Sequence, residues 1–162
     1  MFEYMHQDSR CTLREGIAEY YRENPGLKRD ADLSPEARDF FRCHDAIHVL
    51  YGCDTSLSHE AIVKLSSFFG TTEGFGVMAG YRLYDSIDIY RQLKLAEILR
   101  TISEAPVIVP RTVLRCARQP RKWPWSAFDH LLDTPLCDLR EAYGVRVAVR
   151  PGAEPRARPA AC

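Results

Sequence analysis

Apolar residues recur at helical spacing along most of the chain. Leu13, Ile17, Tyr20 and Tyr21 form the first stripe. The Thr12-Leu13-Arg14-Glu15 run reads as a capping box at its start, and Asn24-Pro25-Gly26 ends it. A charged connector leads to Ser34-Pro35, a cap followed by a proline at the first helical position. The second helix carries Phe40, Phe41, Ile47, Val49, Leu50 and Tyr51 and is expected to stop at Gly52. A third runs from a Ser58 cap to about Phe69. From about Val77 to Ser103 the pattern is long and helical, with Leu83, Ile87, Tyr90, Leu95, Ile98, Leu99 and Ile102 as the expected buried stripe. Pro106 and Pro110 are expected to break it. Ser126 to Arg140 predicts another helical region, interrupted at Thr134-Pro135. Residues 145–149 alternate and fit a short strand or an extended arm.

These elements predict an all-α fold of about six helices around one core. Residues 1–149 form one domain, and the Pro- and Arg-rich stretch 150–162 is a disordered C-terminal tail. Gly70, Gly74, Gly76 and Gly80 lack dinucleotide-fingerprint spacing; they fit close helix packing, or a groove for a long apolar tail.

Composition narrows the class. Apolar residues make up 46% and charged residues 27% of 162, the balance of a globular protein. The formal net charge is +0, so no global field draws nucleic acid, and no nucleic-acid partner is expected. The six cysteines, Cys11, Cys43, Cys53, Cys116, Cys137 and Cys162, contain no C-x-x-C pair. They read as reduced thiols in a cytoplasmic protein, with Cys43 and Cys53 as apolar filler. Neither a signal nor a transit peptide is seen at the N-terminus, and no apolar run is long enough to span a bilayer.

The chemistry lies in Phe40 to Leu65. His44 and His48 are four apart, so one helix face carries both imidazoles. Asp45 lies about 100° round from His44, with His48 between the two. If the second and third helices form an antiparallel hairpin, Glu60 comes level with His48. Two imidazoles and a carboxylate are a usual zinc set, and zinc often keeps one position open for chemistry. The plainer reading is a pair of core histidines satisfied by Asp45 and Glu60. Asp45 is assigned either as a fourth ligand or as an acceptor that orients an imidazole.

His44-Asp45-x-x-His48 followed after eleven residues by Glu60 resembles the metal signature of the ubiquinone biosynthesis family named for the fourth Coq protein. The stretches HVLYGCDTSLSHEAIVKLSSFFGTTEG and PLCDLREAYGVRV read like it too, and the resemblance spans roughly Glu36 to Val147. It implies a mostly helical protein that binds zinc or another divalent metal through His44, Asp45, His48 and Glu60. It also implies association with other ubiquinone biosynthesis enzymes at a membrane surface, and a polyprenylated aromatic lipid as ligand. The implied activity is that of a lyase: metal-dependent decarboxylation at C1 of a polyprenylated 4-hydroxybenzoate, in a plain or oxidative form. Asp45, or a metal-bound water, is then the candidate acid at C1.

Arg111, Arg115, Arg118, Arg121 and Lys122 precede Trp123-Pro124-Trp125. Basic side chains favour anionic headgroups and tryptophan favours the bilayer interface, so 111–125 is a candidate for peripheral contact with the inner face of a membrane. A solvated basic face with both tryptophans in the core fits equally well. Three functions stay open: the decarboxylase, a non-catalytic scaffold whose metal staples the hairpin while its surface binds lipid and enzymes, and an unrelated metal-dependent hydrolase. A homodimer is compatible with each.

Overall fold

The computed structural model describes residues 2–27, 33–84 and 95–148. Among these residues the fold is all-α, with six α-helices and no strand. They are α1 (Leu13–Glu23), α2 (Pro35–Tyr51), α3 (Leu57–Gly70), α4 (Met78–Tyr84), α5 (Leu95–Ala117) and α6 (Leu136–Tyr143).

Helix α2 is the axis of the core. From Cys43 to Tyr51 every residue is buried, and α1, α3, α4 and α6 all pack on it. Its ends follow the expected chemistry. The Ser34 hydroxyl accepts the Ala37 N–H, Pro35 opens the helix, and Gly52 closes it in the left-handed region at φ 64°. A side chain at Gly52 would meet both that backbone conformation and the Val147 side chain. Thr12 and Glu15 form the complete capping box of α1.

The expected helices need three corrections. Helix α3 begins at Leu57 after Ser56, two residues before the predicted cap; Ser58 instead donates to Glu104 on α5 at 2.6 Å. Helix α5 runs through Pro106 and Pro110. Each proline removes one i to i−4 bond, but Ile102, Pro106 and Pro110 are all exposed, so the carbonyls of Ile102 and Pro106 left without that donor lie on a wetted side. The buried stripe of α5 is also different. Leu95, Leu99 and Ile102 are exposed, whereas Ile108, Thr112 and Cys116 are buried. Small and polar residues form the α3-facing side because α3 comes close, with Gly70 against Tyr51 and Cys116. The Leu83 side chain, Ile87 and Tyr90 lie outside what is described, as does the tail 150–162.

Trp123 is fully buried and Trp125 nearly so, packed with Phe128, Tyr143 and Phe40. They are core residues, which decides between their two expected readings in favour of the core and against interfacial anchors. Much of the basic stripe is likewise tied down. Lys122 donates to the carbonyls of Phe69 and Cys116, Arg115 to that of Val147, and Arg121 lies over the Tyr143 ring. The region 126–140 holds one 3-10 turn, Asp129–Leu131, and α6 starts after Pro135. Residues 145–148 form an extended arm, with Val145 and Val147 buried and the Ala148 N–H on the Tyr51 carbonyl. Among the described residues no helix is long and apolar enough to cross a membrane.

Candidate metal centre

Helices α2 and α3 bring His44, His48 and Glu60 together, with one ligand atom from each within 4.8 Å of the others. His48 Nε2 is 3.2 Å from Glu60 Oε1, and His44 Nε2 is 3.5 Å from Glu60 Oε2. A tetrahedral site with donors about 2.1 Å from the ion has edges of about 3.4 Å, so these separations need little adjustment.

The turn between the helices positions Glu60. His59 is buried, and its Nδ1 lies 2.8 Å from Asp54 Oδ1. The Ser56 N–H donates to the same oxygen at 3.0 Å. Burial would raise the Asp54 carboxyl, but hydrogen bonds from His59 and Ser56 hold it far below the usual carboxylate range. The connection is thereby clamped one residue before the ligand.

Aromatic rings wall the cluster. Tyr20 stacks on His48 with centroids 5.1 Å apart, Phe40 lies along His44, and Tyr81 meets His44 edge-on at 5.7 Å. His48 is wholly buried, whereas the Glu60 side chain is 26% exposed, so the cluster opens to solvent on the glutamate side.

Asp45 stands apart from the three converging donors. Its Oδ1 is 3.3 Å from His44 Nδ1, and its Oδ2 accepts the Tyr21 hydroxyl at 2.9 Å. This is the placement of an acceptor that orients an imidazole, the second of its two expected roles. Burial acts against the charged form of His44, but Asp45 and Glu60 outweigh it and push the imidazole up to about 9. Burial would likewise raise Glu60, yet the neighbouring His48 ring and a hydrogen bond from His44 hold it well below its ordinary value.

A divalent cation fits this donor set. Both ring nitrogens of His48 are buried without a hydrogen-bond partner, although Nε2 lies 3.2 Å from Glu60 Oε1. A buried imidazole left this way is costly, and a cation at Nε2 supplies one missing partner. The metal's identity does not follow from three donors of these types.

Sequence spacing found the three donors but missed what surrounds them. Tyr21, Tyr81 and the Asp54–His59 clamp reach the centre from three different elements, and none has a fixed offset from the histidines. His130 is exposed. Cys43 and Cys53 are buried filler, and burial pushes the Cys43 thiol up to about 12. No known protein family, curated protein or solved structure matches the chain.

Proposed function

We propose that this protein binds a divalent cation, zinc first among the candidates, through His44, His48 and Glu60, and uses it on the aromatic head of a prenylated hydroxybenzoate in ubiquinone biosynthesis. The observation that carries the metal is buried His48, whose ring nitrogens lack partners beside a carboxylate and a second imidazole. The substrate class rests on the sequence resemblance.

When bound, the cation supplies an electrophilic point that holds a ring oxygen and fixes the head. The chain's residues do the remainder. Asp45 accepts from His44 Nδ1, which leaves Nε2 as the donor nitrogen. Tyr21 holds Asp45 in turn. Tyr20, Phe40 and Tyr81 limit water around the imidazoles. Loss of carbon dioxide from C1 is easiest when C1 is protonated first and the para oxygen pushes electrons into the ring. Both Asp45 oxygens are already engaged, so Asp45 acts as a positioning residue, and the proton for C1 arrives from water at the open Glu60 edge. The overall change is balanced: a carboxylate and one proton become a ring C–H and carbon dioxide.

Three protein donors leave room for a further ligand, which favours the enzyme over a staple with four protein ligands. A polyprenylated substrate also requires access to a membrane. With both tryptophans in the core, that contact falls to exposed basic residues such as Arg111 and Arg118. The test is metal analysis of purified protein, then turnover of a prenylated 4-hydroxybenzoate followed by mass spectrometry. Wild type should hold one equivalent of metal and release carbon dioxide; His48→Ala should lose both. If metal-loaded wild type is as inactive as the variant while both bind lipid and partner enzymes, the scaffold reading replaces this one.

A further inference from the structure

Several surface arginines meet carboxylates. Arg14 pairs with Asp133, Arg42 with Asp39 and Asp129, and Arg100 with Glu104. Arg111, Arg115 and Arg146 do not: among the described residues no ion pair reaches any of the three. They also come together. Arg111 and Arg115 are one turn apart on α5, so their stems leave one face of the helix. Arg115 is half-buried, and its Nη1 donates to the Val147 carbonyl at 3.5 Å, which brings the extended arm 145–148 to this face. Arg146 is the residue before. Val145 and Val147 on either side of it are buried, so alternation turns the exposed Arg146 side chain outward. The arm is held in place. The Val147 N–H donates to Gln7 Oε1 at 2.9 Å, Gln7 Nε2 donates to the Val145 carbonyl at 3.1 Å, and the Ala148 N–H donates to the Tyr51 carbonyl at 2.7 Å.

Three guanidinium groups fixed in this way work against each other. Burial lowers Arg115 from its ordinary value, and the charges of Arg111 and Arg146 lower it further. Like charges repel more strongly where one of them is drawn partly out of water. The chain has 22 acidic residues for its 22 basic ones, yet among the described residues none pairs with these three. An anion between the guanidinium groups removes the repulsion. A carboxylate brings two oxygens and one charge, which a single guanidinium fork satisfies. A phosphate monoester brings three terminal oxygens and a charge of about −1.5 to −2 at neutral pH, which suits several forks at once.

We infer that Arg111, Arg115 and Arg146 form a binding site for a phosphate group, carried by a soluble phosphate ester or by a lipid headgroup. The site rests on neither the metal nor the substrate proposed above, since its residues come from the C-terminal half of α5 and from the arm.

The test is titration of the full-length protein with phenyl phosphate and, separately, with benzoate, following the arginine Nε–H signals by NMR. Phenyl phosphate should shift the signals of Arg111, Arg115 and Arg146 and bind about tenfold more tightly than benzoate at these residues, the worth of one further charge-assisted hydrogen bond. Arg115→Gln and Arg146→Gln should each weaken phosphate binding by about tenfold. Arg115→Lys should keep part of it, which separates loss of charge from a displaced arm. Arg100→Gln removes the same charge from the same helix, but from a residue paired with Glu104, and should leave phosphate binding as it is. Vesicles of phosphatidylcholine with and without phosphatidate identify the source. Retention that requires phosphatidate and is lost in Arg146→Gln supports the site with a lipid headgroup as its ligand; phosphate binding without retention supports it with a soluble ester. Equal affinity for phosphate and benzoate, or an equal loss in Arg100→Gln and Arg146→Gln, overturns the inference, because the arginines then act only as a general positive surface. Arginine signals that do not move with phenyl phosphate overturn it as well.

Discussion

His44 is poised between two carboxylates, one at each ring nitrogen. Without metal it keeps its proton up to about pH 9, whereas its ordinary value is 6.5. The imidazolium therefore stabilises the metal-free fold fully below about 6.5, and this contribution fades as pH rises through about 9. A cation must displace that proton. Its affinity should accordingly climb by about tenfold per pH unit below 9 and level off above it, as measured by competition with a chelator across pH. Asp45→Asn tests the same contact from the other side. It takes the negative charge from the acceptor that fixes the ring, so metal affinity should fall by about 10–100-fold while the fold persists. A variant that binds zinc like the wild type would reduce Asp45 to a buried partner of Tyr21.

At the scale of elements, close packing of α4 on α2 supports the centre. A side chain on Gly80 would collide with the Phe40 ring, which lies along His44 and packs on Tyr81 and Trp125. Gly80→Ala should cost about 1–3 kcal/mol in denaturant unfolding and also weaken zinc binding, because Phe40 can move only by disturbing its neighbours. Unchanged zinc affinity would mean that Phe40 yields away from His44. The expected reading of the glycines as close-packing positions is met at Gly70 and Gly80, where neighbouring side chains occupy the space of a Cβ. Helix ends at Ser34-Pro35, Thr12 and Gly52 were legible because caps act within a few residues. The hairpin donors were legible because they too follow from local spacing and one turn. The buried side of α5 was not, since hydrophobicity alone favoured Leu95, Leu99 and Ile102. Close approach to α3 instead selected Thr112 and Cys116, whose small side chains fit there. The two prolines misled for a related reason: local propensity marks them as breaks, but tertiary packing and a wet outer side let the helix continue.

Across the whole molecule, Arg140 joins segments that no local pattern connects. It sits on α6, is 1% exposed, and donates to the carbonyls of Tyr4, His6, Val49 and Leu50. One guanidinium thus fastens the N-terminal turn and α6 to the C-terminal end of α2, where carbonyl groups lack onward helical donors. The location also suits a positive charge, because the helix dipole is negative there. Burial nevertheless lowers the group to about 10, so the charge is retained at neutral pH at some cost. Replacing it by methionine leaves buried carbonyls without their donor, and each such loss costs about 1–3 kcal/mol. Arg140→Met should therefore destabilise the protein by about 2 kcal/mol or more, read as a lower denaturation midpoint. Lysine should not restore it, since its point charge cannot span four carbonyls on two segments as the planar fork does. The loss should reach the metal centre as well: α2 carries both histidines, and Val49 and Leu50 directly follow His48. Zinc affinity should drop in the methionine variant at temperatures where its circular dichroism still reports a folded protein. Should zinc affinity stay at the wild-type value while the midpoint falls, the α2 terminus and the metal centre are mechanically independent, and Arg140 serves the fold alone.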